Sequence, residues 1–372
     1  MQIAGSWMGP ALPVMAALGD GGYHCLFVGG CVRNALMGLA VGDLDLATDA
    51  PPEVVMARAT AAGLRVVPTG LEHGTVTVIS DGVPCEVTTF RRDVETDGRH
   101  ATVAFSTDIA EDAARRDFTM NALYADAGGM VIDPLGGLDD LQARRVRFVG
   151  DPARRLAEDH LRLLRFFRFH AIYGDAESGI DMDGYVACAA AVDGLDALSR
   201  ERVGAEMKKL LAAADPAPAV AAMAACGALM RVLPGADATT LAVLVHLEGG
   251  RAPDPIRRLA LLGGTADLRL SRAEMKRVAL TATAAREGVP IPEVAYRHGV
   301  TIACDAALVR GALIGTPVDL AGIEDAAAAV CPVTAADLMP GLSGKALGER
   351  LRQIEATWIA SGFRLGRDAL LG

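Results

Sequence analysis

The sequence predicts an α+β domain over about residues 1–140, a small mixed or antiparallel sheet with helices, followed by an all-α region. Three observations carry this. Short apolar, β-branched runs alternate with turns in the first part. They form hairpins mixed with helices, not the regular strand–helix repeats of a doubly wound sheet. From about residue 141 the apolar spacing becomes helical, and no convincing strand pair follows.

The elements follow in order. "CLFVGG" predicts a strand over 25–28 that ends in a Gly pair. "PPEVVMARATAAG" predicts a helix, with Pro at its start and Gly at its end. "GTVTVISDGVPCEVTTF" predicts a hairpin, because two β-branched runs flank Asp81-Gly82, a strong turn dipeptide. "MVIDP" closes another short strand. Then "DPARRLAEDHLRLLRFFRFHAIYG", "LSRERVGAEMKKLLAA" and "PAPAVAAMAACGALMRVL" carry helical periodicity, with joints near Gly174, Gly235 and Gly249.

Composition excludes several classes. The net charge of −10 argues against a uniformly basic coat for anionic polymers, since sequence-independent binding of that kind is electrostatic. A local basic groove remains compatible: from Arg144 to Arg168 there are eight Arg against three acidic residues. Seven scattered Cys without a C-x-x-C pair predict reduced thiols in a cytoplasmic protein, not a disulfide frame or zinc site. The N-terminus lacks the basic region of a signal peptide. The longest apolar stretch, "AVAAMAACGALM" at 219–230, is shorter than the ~20 residues that span a bilayer. It reads as one buried helix of a protein with no membrane partner.

Four stretches carry chemistry. In the first, "GGCVRNALMGLAVGDLDLAT", a strand ends in Gly29-Gly30 and runs into a helix. Backbone N–H groups exposed there make a phosphate seat, and Arg33 adds charge. Ten residues after Arg33 come Asp43 and Asp45. An isolated D-x-D reads as a solvated loop. Here Leu44 and Leu46 interleave like a half-buried strand, which places both carboxylates on one side. Side by side they repel unless a cation or a proton joins them. Mg²⁺ takes a few carboxylates together with phosphate oxygens. Glu86, among β-branched residues of the second hairpin strand, is the candidate third carboxylate; an outward-facing strand residue is the alternative.

The next stretch, "RRDFTMNAL" at 115–123, packs Arg115, Arg116, Asp117, Thr119 and Asn121 together. Arg suits triphosphate oxygens and Asp a ribose hydroxyl. In "EDHLRLLRFFRF" at 158–169, a continuous helix spaces Asp159, Arg162 and Arg165 at i, i+3 and i+6. That is either an amphipathic surface helix with ordinary ion pairs, or a rigid set of donors and an acceptor facing a nucleobase edge.

In this order and spacing, the motifs resemble those of the bacterial-type (class II) tRNA nucleotidyltransferases and their relatives, the bacterial poly(A) polymerases. The family pattern is G-G-x-x-R-D, D-x-D, R-R-D-F-T-x-N-A and E-D-x-x-R-x-x-R. "LSRERVGAEMKKLL" resembles the next helical motif. The resemblance is strong over residues 24 to 211 and loose beyond. It implies a nucleotidyltransferase head over 1–140, a helical neck for base recognition over 141–211, and a helical RNA-binding body over 212–372.

It also implies roles. Asp43 and Asp45 hold Mg²⁺, with Glu86 completing the catalytic carboxylates. Gly30 and Arg33 contact the incoming nucleotide, Arg116 the triphosphate, Asp117 the ribose. Asp159 and Arg162 read the base of CTP or ATP, with Arg165 and Arg168 in support. The partners implied are CTP, ATP and the tRNA 3′ end, and the activity is CCA addition. Poly(A) tailing and A-only addition are the alternatives. The polar segment "RRDVETDGRHATVAFSTDIAED", of flexible composition, favours CCA addition, since A-only enzymes have it shortened. No His is followed by Asp, so no accompanying metal phosphohydrolase is expected. One departure stands out: Asn34 occupies the place of the motif Asp, keeping the shape but not the charge.

Overall fold

A computed structural model gives the fold of residues 1–97, 100–175, 177–264, 267–339 and 341–372; for 93–97 and 100–103 only the backbone is described. The chain forms two compact units. The first comprises Met1–Glu206 and Ala225–Val232, the second Met207–Ala224 and Leu233–Gly372.

The first unit is built on a seven-stranded mixed sheet in the order β3-β4-β5-β2-β1-β8-β9. Its strands are β1 (Cys25–Val28), β2 (Leu44–Thr48), β3 (Arg65–Gly70), β4 (Thr75–Ser80), β5 (Val83–Thr89), β8 (Tyr124–Ala125) and β9 (Val131–Ile132). Among the described residues only β2 and β5 pair in parallel. The β4–β5 hairpin turns at Asp81 and Gly82, both at positive φ (51° and 77°). That is the turn geometry which suits the twist of paired strands. Strand β4 alternates half-buried and buried residues, as period two requires for a sheet covered on one face.

The segment with the composition of a flexible loop is strand over most of its length. β6 (Arg91–Asp97) and β7 (His100–Phe105) pair as a separate two-stranded sheet. Its β-branched and aromatic residues at alternate positions outweigh its polarity. Residues 98–99 of that segment lie outside the described residues.

Helices α1 (Leu12–Gly19), α2 (Gly30–Leu36), α3 (Pro52–Ala61), α4 (Ile109–Ala114) and α5 (Gly137–Gln142) join or flank the strands. α6 (Pro152–Glu158), α7 (Leu161–Tyr173), α8 (Met182–Ala190) and α9 (Arg200–Leu211) follow. The protein is poor in aromatics, yet five of its nine Phe gather here. Phe118, Phe148, Phe166, Phe167 and Phe169 pack ring on ring, with centroids 4.8–6.4 Å apart. This cluster fastens α7 to the 115–123 stretch by burial and aromatic contact.

Two helix expectations are corrected. The apolar stretch at 219–230 is two helices, α10 (Ala217–Ala225) and α11 (Ala228–Val232). Gly227 between them takes φ +84°, which ends a helix without the penalty of a Cβ. The expected helix through 158–169 breaks at Asp159, whose backbone is extended (φ −155°, ψ 106°). Its carboxylate accepts the Leu161 N–H at 3.0 Å, satisfying one of the free donors at the start of α7.

The second unit holds α12 (Leu241–Leu247), α13 (Pro255–Leu262), α14 (Arg272–Arg286), α15 (Ile291–His298) and α16 (Val300–Ile314), and the last three, with the helix Ile323–Ala328, pack around an Ala-rich core. Shorter helices and one of 17 residues, Gly344–Ala360, complete it. No strand is assigned after Ile132 among the described residues, in keeping with the all-α expectation.

Candidate active site

The strand register collects the carboxylates. Asp45 of β2 lies directly beside Glu86 of β5 in the parallel pairing. Asp43 lies two residues before Asp45, at the exposed approach to β2. The Asp45 carboxyl is held above the usual Asp range, first by burial and then by Glu86; Arg116 opposes the rise and Asp43 adds to it. None of the three carboxylates has an ion pair or side-chain hydrogen bond among the described residues. Among these residues no three His, Cys, Asp or Glu side chains form a ready metal cage. An open group of unpaired, mutually repelling oxygens suits Mg²⁺, which keeps waters and takes part of its shell from phosphate. The donor set therefore fits that ion better than a closed transition-metal site.

The glycine turn sits next to this group. Gly29 takes φ +70° before α2, a conformation that favours glycine. A Cβ there would lie 3.3 Å from Arg116 Nη1 and 3.6 Å from the Asn121 carbonyl oxygen. The turn thus lets the Arg116 guanidinium close against the backbone. Arg116 donates to Asp112 (2.9 and 3.2 Å) and to the Tyr124 hydroxyl (3.1 Å). Tyr124 in turn donates to Asp112 at 2.7 Å.

Arg33 is placed differently from a surface phosphate ligand. It is 6% exposed. Its guanidinium donates to the Tyr173 hydroxyl (2.7 Å), to Asn34 Oδ1 (2.8 and 3.1 Å) and to Asn121 Oδ1. It also lies over the Tyr173 ring, 4.0 Å from the centroid. Burial depresses its pKa. Asn34 uses both ends of its amide, since Nδ2 donates to the Ala40 carbonyl at 2.9 Å.

Asp117 is wholly engaged. Oδ1 accepts from the Phe118 N–H and from Asn121 Nδ2, each at 2.8 Å. Oδ2 accepts from Arg165 at 2.8 and 2.5 Å. Burial alone would raise its pKa, but Arg165 and these hydrogen bonds outweigh it and hold the carboxyl below the usual range. Arg168 donates to Glu206 at 2.6 Å, and both are buried.

The last motif divides in two. Glu158 accepts from Arg155 (2.5 Å) and Arg162 (2.6 Å). Asp159 faces the other way and accepts from Arg202 of α9 at 2.6 Å. The structure thus gathers Asp43, Asp45 and Glu86. It links Arg33 to Asp117 and Arg165 through Asn121. It does not pair Asp159 with Arg162. Asp112, Tyr173, Arg155, Arg202 and Glu206 were not singled out from sequence as site residues. Asp112 stands four residues before Arg116, and Arg202 four before Glu206, so helical spacing was the available signal.

Comparison with known proteins bears on this arrangement. Residues 25–147 match the family model of the poly A polymerase head domain. Residues 180–239 match that of the probable RNA and SrmB-binding site of polymerase A. A CCA-adding enzyme of Bacillus pumilus is 42% identical over 205 residues, 54% of this chain and 49% of that protein. The mitochondrial CCA tRNA nucleotidyltransferase 1 of Homo sapiens is 41% identical over 184 residues, 49% of this chain and 42% of that protein. The chain spans about half the length of the curated relatives it matches. The crystal structure of the Bacillus stearothermophilus CCA-adding enzyme in complex with CTP superposes with a TM-score of 0.78 at 28% identity, covering 96% of this chain and 94% of that one. No helix of the described residues is long and apolar enough to cross a membrane. In its motifs, its head-domain match over residues 25–147 and this fold, the chain is similar to the tRNA nucleotidyltransferases and poly(A) polymerases.

Proposed function

We propose that this protein adds CCA to the 3′ end of tRNA from CTP and ATP, without a nucleic acid template, by Mg²⁺-dependent nucleotidyl transfer that releases pyrophosphate. The observation that carries the reading is the set of unpaired carboxylates Asp43, Asp45 and Glu86, next to a glycine turn backed by Arg116. Family members use a divalent metal; Asp43 and Asp45 would hold it here, with Mg²⁺ the ion that suits the donor set. When bound, that ion neutralises triphosphate charge and acidifies the attacking 3′-hydroxyl.

The chain's own residues supply position. Backbone N–H groups at Gly30 receive phosphate at the start of α2. Arg116, fixed by Asp112 and Tyr124, adds a rigid positive charge beside them. Asp117 meets the ribose by exchanging Asn121 or Arg165. Asp159 and Arg162 present an acceptor and donors to the base edge, with Arg165 and Arg168 behind them. Arg33 serves from beneath the seat, holding α2 to the end of α7. In this assignment residues 1–140 are the catalytic head, 141–211 the neck that reads the base, and 212–372 the RNA-binding body. Seven free thiols suit a reducing, cytoplasmic location.

The segment that forms the β6–β7 hairpin favours CCA addition over A-only addition, since the resemblance implies that A-only enzymes have it shortened. The test is extension by the purified protein, with Mg²⁺ and labelled CTP or ATP, of tRNA lacking its last one, two or three nucleotides. CCA addition predicts C incorporation on the two shorter ends and a single A on the longest. A addition alone, or a long A tail, would move the reading to the corresponding relative. No extension of any tRNA would sink it.

A further inference from the structure

His160 stands between the two halves of the base-reading motif, at the N-cap of α7. It is a poor choice for that place. N-cap positions favour Ser, Thr, Asp and Asn, whose oxygens accept a free helix N–H. The His160 side chain makes no capping bond; Asp159 makes it instead. Its Nδ1 is buried and has no hydrogen-bond partner among the described residues. A residue that neither caps nor satisfies its own polar atom is held there by its shape.

The shape is matched by Gly194, in the 3₁₀ segment Val192–Ala197. A Cβ at Gly194 would lie 2.2 Å from Nδ1, 2.3 Å from Cε1 and 2.4 Å from Cγ of the imidazole. Gly194 has no positive φ, so its backbone conformation does not require glycine. The ring alone requires it. Glycine in a helical segment weakens it relative to Ala, so this position carries a cost that the contact offsets. The 3₁₀ segment is braced in turn: Arg231 of α11 pairs with Asp193 and, at 3.0 Å, with Asp196, on either side of Gly194. The imidazole therefore bears directly on the backbone of that segment.

We infer that His160, seated on Gly194, is a positioning residue that sets nucleotide choice: it wedges open the joint between α6 and α7 so that Asp159 stays extended and faces away from Arg162. Without the wedge, the 158–169 sequence favours the continuous helix its spacing predicts. In that helix Asp159 and Arg162 share a face and can neutralise each other. With the wedge, Asp159 keeps one oxygen on the Leu161 N–H and the other on Arg202, and Arg162 stays with Glu158. Acceptor and donor thus reach a nucleobase as separate groups. The inference rests on the assignment of Asp159 and Arg162 as base readers.

The test is a double-mutant cycle of Gly194→Ala and His160→Ala. It is read as kcat/KM for CTP and for ATP on matched tRNA ends, with melting temperature measured in parallel. Gly194→Ala is expected to change the CTP-to-ATP ratio by about tenfold, the order expected when a site is misplaced by a fraction of an ångström. His160→Ala is expected to change the ratio in the same direction. In the double variant, where the new methyl meets no ring, the ratio is expected to show less than the product of the two single effects. A ratio unmoved in both single variants, whatever happens to melting temperature, overturns the inference. Wild-type protein that adds neither nucleotide overturns the functional reading beneath it instead, so the two failures are distinguishable.

Discussion

Arg165 and Asp117 meet through two hydrogen bonds to one carboxylate oxygen, at 2.8 and 2.5 Å. One residue belongs to α7 and the other to the 115–123 stretch. The pair joins two motifs 48 residues apart, and the Arg165 guanidinium lies 5.3 Å from the centroid of the Phe169 ring. Under the proposed function, these two nucleotide-binding candidates are already joined to each other in the folded chain. A ligand that takes Asp117 must offer as much as Arg165 does.

Replacing Asp117 with Asn tests that pair. It leaves the Arg165 guanidinium facing a neutral amide in a half-buried site. The expected loss is about 1–3 kcal/mol, typical of a broken charge-assisted bond. The sign with pH follows from the depressed Asp117 pKa. Its stabilisation is present above the ordinary Asp value and is lost as pH falls through the folded value. Urea melts between pH 7 and pH 3 should show a shallower acid loss in Asp117→Asn than in wild type. Parallel curves would remove Asp117 from the acid response.

Asp45 predicts the opposite sign. Its folded pKa lies above the ordinary Asp value, because burial and the neighbouring Glu86 disfavour the charge. Stability from this group is present at low pH and is lost as pH rises through the folded value. At neutral pH without metal, Asp45→Asn should melt higher than wild type. Added Mg²⁺ should raise the wild-type melting temperature and leave the variant nearly unmoved, since a ligand stabilises only the state that binds it. Catalysis should fall about a hundredfold or more, the scale of a lost metal contribution to transition-state charge. An equal Mg²⁺ response in both proteins would take the metal away from Asp45.

These two sites differ in how far sequence could reveal them. The Asp43–Asp45 pair and the β4–β5 hairpin were readable because period two and a D-G turn are local signals. Glu86 was readable only as an awkward charge in a strand. Its place beside Asp45 depends on the one parallel pairing in the sheet, a non-local fact. Asp159 was misplaced on a continuous helix, because its capping bond and its tie to Arg202, 43 residues away, override helical propensity. Arg33 gave no hint of burial, since the rings that accept it, Phe169 and Tyr173, lie about 140 residues downstream.

Asn34 bears on the motif departure. As an amide it accepts from Arg33 and donates to Ala40. Asn34→Asp strengthens the first bond by adding charge and replaces the second with two facing oxygens. The two changes oppose each other, so stability at pH 7 is expected to stay within about 1 kcal/mol. Activity should stay within a few-fold, because neither bond reaches the carboxylates. A large loss of nucleotide addition in Asn34→Asp would show that the absent charge matters at this position.

Arg168 and Glu206 make the stringent test of how α7 is held to α9. Both are buried, joined at 2.6 Å, and Arg165 stands 4.0 Å from the same carboxylate. Glu206→Gln leaves a buried guanidinium with only a neutral partner, while the Phe169 ring beneath it offers weaker support. The expected cost is about 3–5 kcal/mol, the scale for removing one member of a buried pair. Arg168→Met with Glu206→Leu removes both charges and keeps volume, and should recover most of that loss. Chemical denaturation of the three proteins settles the point. If the double variant is as unstable as Glu206→Gln, then Arg168 contributes through its packing on Phe169 and not through its charge.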